Sequence, residues 1–166
     1  TGEVWAKIAR GNAEDVDRAV TAAKAAFDGD WGATGPTARG KLMVKLAEII
    51  EREAVRLGEI EVRDNGKLIA EMGAQTKYLA EWYRYFGGLA DKIEGASIPL
   101  GSDYIDFTVY EPFGISAQIV PWNFPVSICA RSLAPALAAG NAVIVKSPEL
   151  TPLAMTWIAT ACERAG

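Results

Sequence analysis

The sequence predicts an α/β fold, and three observations carry that expectation. From Ile115 the chain reads ISAQIVPWNFPVSICARSLAPALAAGNAVIVKSPE. Two short apolar runs there flank a segment long enough for a crossover helix, which is one β-α-β unit. Upstream, several stretches repeat apolar residues at steps of three and four, the spacing of amphipathic helices. Between these halves the pattern changes to period two, as in a hairpin or extended arm.

Taken in order, Val4–Ala9 is a short strand candidate that ends at Arg10-Gly11. Asn12 is an N-cap candidate, with Asp15 three residues on as its capping-box partner. Val16, Ala19, Val20, Ala23 and Phe27 then fall at helical spacing, so Ala13–Phe27 is expected to be a helix. Asp28-Gly29-Asp30 stops it, and a loop with Trp31, Gly32, Gly35 and Pro36 follows. A longer helix begins near Thr37, with Leu42, Leu46, Ile49 and Ile50 on one face. It should break near Glu53 and resume to a C-cap at Asn65-Gly66. The next helix carries Leu79, Trp82, Tyr83, Phe86, Leu89, Ala90 and Ile93 as a stripe, which reads as core packing, and Gly95 is expected to end it.

Ile98–Leu100 and Tyr104–Tyr110 flank a Gly101-Ser102-Asp103 turn, and Ile105, Phe107 and Val109 alternate with Asp106, Thr108 and Tyr110. An apolar arm with a free edge needs a partner. Ile115–Val120 has few polar residues, as in a strand covered on both faces. Val126–Ala139 is a helix in which Pro135 implies a kink or a late start, and Gly140-Asn141 is its C-cap. Ala142–Val145 is the second strand. Thr151-Pro152 reads as an N-cap followed by proline at the first helical position, opening a last helix that runs to Arg164.

Composition narrows the function. The 166 residues are half hydrophobic and 23% charged, with a formal net charge of −4 and no basic block. Nothing points to nucleic acid or to an anionic membrane surface. No uninterrupted apolar run reaches membrane-spanning length, and no signal peptide is visible. The missing initiator Met points to a processed or cut beginning. Histidine is absent, which removes His-based triads and His metal sites from this chain. Cys129 and Cys162 form no C-x-x-C pattern. Two lone thiols suit a reducing compartment such as the cytoplasm, with one disulfide as the alternative.

Candidate chemistry lies just beyond the two strands of the β-α-β unit, where ligands of open α/β sheets bind. No glycine-rich nucleotide fingerprint or phosphate loop occurs. After the second strand stand Lys146 and Glu149. A carboxylate there can accept from ribose hydroxyls and would repel a 2′-phosphate, and Lys146 can donate to the same sugar. The alternative is a solvated loop pair. After the first strand comes Pro121-Trp122-Asn123-Phe124-Pro125, whose prolines constrain the backbone on both sides of Asn123. A rigidly held carboxamide N–H can stabilise a developing oxyanion. The alternative is a turn in which Asn123 caps the following helix and the aromatics are core.

P-W-N-F-P followed by P-A-L-A-A-G-N-A-V-I-V-K-S-P-E-L-T-P-L resembles the NAD(P)-dependent aldehyde dehydrogenase family. Thr1-Gly2-Glu3, Ala90-Asp91-Lys92-Ile93-Glu94-Gly95 and Glu111-Pro112-Phe113-Gly114 resemble further family signatures, so the likeness extends along the whole chain. The resemblance implies the N-terminal part of a Rossmann-like NAD-binding domain. Residues 1–89 would be its helical part, 90–112 an oligomerisation arm, and 113–166 an incomplete β-α-β core. It implies Asn123 as the oxyanion-hole side chain stabilising a tetrahedral thiohemiacetal. It implies Ile119, Val120, Pro121 and Trp122 along the nicotinamide side of the cofactor cleft, and Lys146, Ser147 and Glu149 at the adenosine ribose, with Glu149 favouring NAD.

In the family reaction a cysteine thiolate attacks an aldehyde, hydride passes to NAD, and a glutamate-activated water releases the acid. The resemblance puts that cysteine and glutamate beyond Gly166, so the chain alone is expected to be inactive. Cys129 and Cys162 match no nucleophile position and read as structural. Ser132 stands where many members carry Lys. A homodimer or homotetramer through the arm is implied, and no bound metal. The competing expectation is a non-catalytic NAD-binding or structural protein that keeps only the fold.

Overall fold

The structure, a computed structural model, describes residues 2–166. Thr1, part of one quoted signature, lies outside the described residues. Helix α1 (Ala13–Asp28) starts as the sequence predicts: the Asn12 side chain accepts from the Asp15 N–H at 3.1 Å and the Asp15 carboxylate accepts from the Asn12 N–H at 2.8 Å. α2 (Asp30–Ala33) is one helical turn where a loop was expected. Its Trp31 Nε1 donates to the Asn141 carbonyl at 3.1 Å, which pins the turn to the far half of the chain. α3 (Pro36–Arg52) and α4 (Ala54–Asn65) meet at Glu53, the predicted break. Gly66 ends α4 in the left-handed conformation, φ +82°, which only glycine adopts at little cost.

α5 (Ile69–Leu89) is the central helix of the core, and α3, α4 and α6 (Pro125–Ala138) pack on it. Met43, Ile50, Leu57, Met72, Leu79, Tyr83 and Val126 are buried there. α3 and α5 cross at Gly40 and Gly87, where a Cβ on Gly40 would stand 2.5 Å from the Gly87 carbonyl oxygen. α5 stops at Leu89 and not at Gly95, because residues 91–96 are exposed and no packing holds another turn.

The arm is an antiparallel pair, β1 (Ser97–Ile98) and β2 (Asp106–Phe107), with Ile98 opposite Asp106. It is shorter than predicted. Pro99 has no N–H to continue the ladder. Its apolar side chains are solvent-exposed, Ile105 to 93%.

β3 (Ile115–Ile119) and β4 (Ala142–Lys146) pair in parallel through the crossover helix α6, and α7 (Leu153–Ala165) follows. α1 and α6 both pack on these strands. α6 runs unbroken through Pro135, so it has no late start. Its end is closed by Gly140 and Asn141, whose N–H groups donate to the Leu137 and Ala136 carbonyls.

Three further expectations are corrected. Val4–Ala9 forms no strand: no strand among the described residues pairs with it, and Val4 is 81% exposed. β3 is not covered along both faces: Gln118 is buried, while Ala117 and Ile119 lie open. Thr151 does not cap α7. Its hydroxyl donates to the Trp122 carbonyl at 3.2 Å, and the Leu153 N–H is met by the Asp64 carboxylate at 2.9 Å.

Candidate functional site

The parallel register sets Ile119 beside Lys146, and the Val120 N–H donates to the Lys146 carbonyl at 3.1 Å. Both strands therefore end on one rim, from which the Pro121–Phe124 loop and the Lys146–Glu149 loop emerge. Ile119 is 81% exposed, and Trp122 and Asn123 are also exposed. Pro121 is half-buried. Val120 turns into the core at 2% exposure, so it meets the rim only through its backbone.

Lys146 and Glu149 pair directly, Nζ to Oε2 at 2.6 Å, and both are exposed. The Lys146 ammonium holds the Glu149 carboxyl below its ordinary range. Ser147 turns elsewhere: with Val143, Val145 and Leu133 it lines an apolar groove of about 610 Å³. Asn123, Lys146 and Glu149 are not in that groove.

Asn123 is not the cap of α6. Phe124 holds that position, and no side-chain cap bond occurs. The loop is instead pinned from α4. The Asn65 amide donates to the Trp122 carbonyl at 2.6 Å. Lys67 Nζ stands 3.8 Å from the Phe124 ring centre and donates to Glu61 Oε1 at 3.2 Å. Glu61 is 1% exposed. Burial pushes its carboxyl up, while Lys67 and the Val126 N–H pull the other way. Asp64 spans from the same turn to α7.

Sequence reasoning missed this group. One signal was available: Glu61 continues the buried Ala54–Leu57 stripe of α4, where an apolar residue belongs.

Neither cysteine is a thiolate. Burial pushes Cys129 up to about 12 and Cys162 up to about 11. Ser132 is inward-facing, with Oγ 2.9 Å from both Gln118 Oε1 and the Ile128 carbonyl oxygen. Among the described residues no cluster of three or more His, Cys, Asp or Glu could hold a metal, and no helix is long and apolar enough to cross a membrane.

The family model described as the aldehyde dehydrogenase family matches residues 1–166. A dehydrogenase of Acinetobacter baylyi named for (Z)-2-((N-methylformamido)methylene)-5-hydroxybutyrolactone is 45% identical, over all of this chain and 34% of its own length. The mitochondrial aldehyde dehydrogenase of Rattus norvegicus is 42% identical, over all of this chain and 33% of its own. The crystal structure of PnpE from Pseudomonas sp. WBC-3 matches 99% of this chain and 34% of its own with a TM-score of 0.95 and 41% identity. PnpE has also been solved in complex with nicotinamide adenine dinucleotide. The chain thus spans about a third of the length of these relatives.

Proposed function

The chain belongs to the aldehyde dehydrogenase family, and on that premise we propose that its protein oxidises an aldehyde to a carboxylic acid with NAD. The observation that carries the reading is the exposed set Asn123, Lys146 and Glu149 at the carboxyl ends of two paired parallel strands.

The chemistry of the donor set fits NAD. Glu149 keeps one carboxylate oxygen outside its bond to Lys146, free to accept from a ribose diol, and its charge opposes a 2′-phosphate. Lys146 has two further N–H donors for the same sugar. Ile119 and Trp122 offer exposed apolar surface beside them, with Pro121 and the Val120 backbone behind. Ser147, at the groove, is the weakest of the proposed contacts. When bound, NAD supplies the hydride acceptor. The NAD complex of PnpE supports this choice of cofactor.

Asn123 contributes a neutral N–H donor to the oxygen on which charge develops as a thiolate adds to the carbonyl. That thiolate comes from elsewhere in the protein, since Cys129 and Cys162 are held protonated. Residues 90–112 serve as an oligomerisation arm, which accounts for exposed Tyr104, Ile105, Phe107, Val109 and Tyr110. Two free thiols suit a cytoplasmic setting.

The test is NADH formation by the intact protein with a panel of aldehydes, before and after Asn123→Ala. Loss of one oxyanion donor should lower kcat by about 10²–10³-fold. No aldehyde-dependent NADH with any substrate, or an unchanged kcat in Asn123→Ala, overturns the proposal.

A further inference from the structure

We propose that the C-terminal turn of α4 is the positioning device for Asn123: Asn65 holds the peptide that leads into it, and Lys67, seated on Glu61, holds the ring that follows it. The inference rests on the reading of Asn123 as the oxyanion donor and names what makes that donor effective.

The residues on the two sides of Asn123 are gripped separately. Before it, the Trp122 carbonyl accepts two side-chain bonds, from Asn65 Nδ2 at 2.6 Å and from Thr151 Oγ1 at 3.2 Å. These donors come from different elements, α4 and the loop that enters α7. Two donors arriving from different places fix the plane of a peptide, and the nitrogen of this peptide is that of Asn123. After it, the Lys67 ammonium lies against the Phe124 ring, and Lys67 is held by Glu61. The left-handed turn at Gly66 separates Asn65 from Lys67, so one short segment reaches both sides of the loop.

Surface loops do not ordinarily command such anchoring. Glu61 is a nearly fully buried carboxylate, a costly group unless it is paired. Its Oε2 has no hydrogen-bond partner, so the pair is not an optimised stabilising element. Its consequence in space is to place Lys67 under Phe124. With the peptide before it and the ring after it held, Asn123 has less left to order before it can donate. That is the preorganisation an oxyanion donor requires.

A double-mutant cycle in the intact protein tests this. Asn65→Ala, Thr151→Val and Lys67→Met are each made alone and together with Asn123→Ala. Each single change should lower kcat, Asn65→Ala by roughly 10- to 100-fold, as expected for a misplaced group. KM for aldehyde and for NAD should stay within about twofold, and Lys67→Arg should recover activity lost in Lys67→Met. In the Asn123→Ala background the same changes should alter kcat by less than about twofold, because there is no donor left to misplace. Losses that persist undiminished in that background would show a merely structural role and overturn the inference, as would an unchanged kcat in Asn65→Ala. Thr151→Val removes the second donor to the same carbonyl and carries the cycle if Asn65→Ala fails to fold. A silent Asn123→Ala alone would instead fail the oxyanion reading itself, and the inference with it.

Discussion

Replacing Lys67 with Met isolates the energetics of the buried pair behind the aromatic loop. Met keeps an unbranched apolar stem against Phe124 and deletes the charge. Glu61, 1% exposed, then loses the 3.2 Å partner of its Oε1, and its Oε2 has no hydrogen bond to compensate. Breaking a buried pair from one side costs about 3–5 kcal/mol, because the remaining charge is stranded. Total stabilities are only about 5–15 kcal/mol, so the loss is large.

The pH dependence has a definite sign. Burial already raises the folded-state pKa of Glu61 above its ordinary value, and Lys67 opposes that rise. A raised folded pKa means that the folded state holds the proton more tightly. The stability linked to that proton is present below the unfolded pKa and lost as pH rises through the folded pKa. Lys67→Met raises the folded pKa further. The penalty should therefore be greatest near pH 8 and shrink as the pH is lowered towards about 5, because the variant's Glu61 takes up its proton more readily.

Amide hydrogen exchange in residues 54–68 and 121–130, compared with the parent protein at the same pH, reads the local opening. An increase of roughly 10²–10⁴-fold near pH 8 corresponds to the expected cost. Glu61→Gln in the Lys67→Met background should restore most of the protection. A penalty equal at both pH values, or no rescue by Glu61→Gln, would refute an ionised buried pair.

Glu149→Ala should raise KM for NAD and narrow the preference for NAD over NADP by about tenfold or more, the worth of a charge-assisted hydrogen bond, read as the ratio of kcat/KM values. An unchanged ratio would sink the ribose assignment. Lys146 lowers the Glu149 pKa, so the carboxylate is ionised across the neutral range and the preference should not change with pH there. Gly40→Val brings a side chain to within 2.5 Å of the Gly87 carbonyl oxygen, and separating α3 from α5 should cost about 1–3 kcal/mol, visible as a lowered Tm. Ile105→Lys with Phe107→Lys charges the arm. The sedimenting mass of the intact protein should fall, and an unaltered mass would mean that the arm does not assemble it.

What the sequence made legible was local. The Asn12–Asp15 capping box, the break at Glu53 and the Gly66 turn need only residues a few positions apart. So did the β-α-β unit and the rim with Asn123, Lys146 and Glu149. What it hid was long-range. Val4–Ala9 has strand composition, but no strand among the described residues pairs with it. Thr151 has N-cap chemistry, yet its hydroxyl is taken by Trp122, while α7 is capped by Asp64 from α4. Asn65, Glu61 and Lys67 read along the chain as an ordinary helix end with surface charges. Only the fold turns them towards the loop after β3.

The two halves of the rim are anchored in physically different ways, and their proposed tasks differ to match. Lys146 and Glu149 are tied only to each other and stand in water, where an ion pair is worth about 1 kcal/mol or less. Such a pair can re-form around a sugar at little cost, which suits a cofactor that must enter and leave. Asn123 is flanked by a carbonyl held by two donors and a ring held against a half-buried cation. A donor to a developing oxyanion gains from being fixed beforehand, since reorganisation during the reaction would subtract from its effect. On the proposed assignment, rigidity lies on the side where charge would develop in the transition state, and the cofactor side stays adaptable. On this account, changes in the C-terminal turn of α4 should appear in kcat, and changes at Lys146 and Glu149 should appear in the KM for NAD.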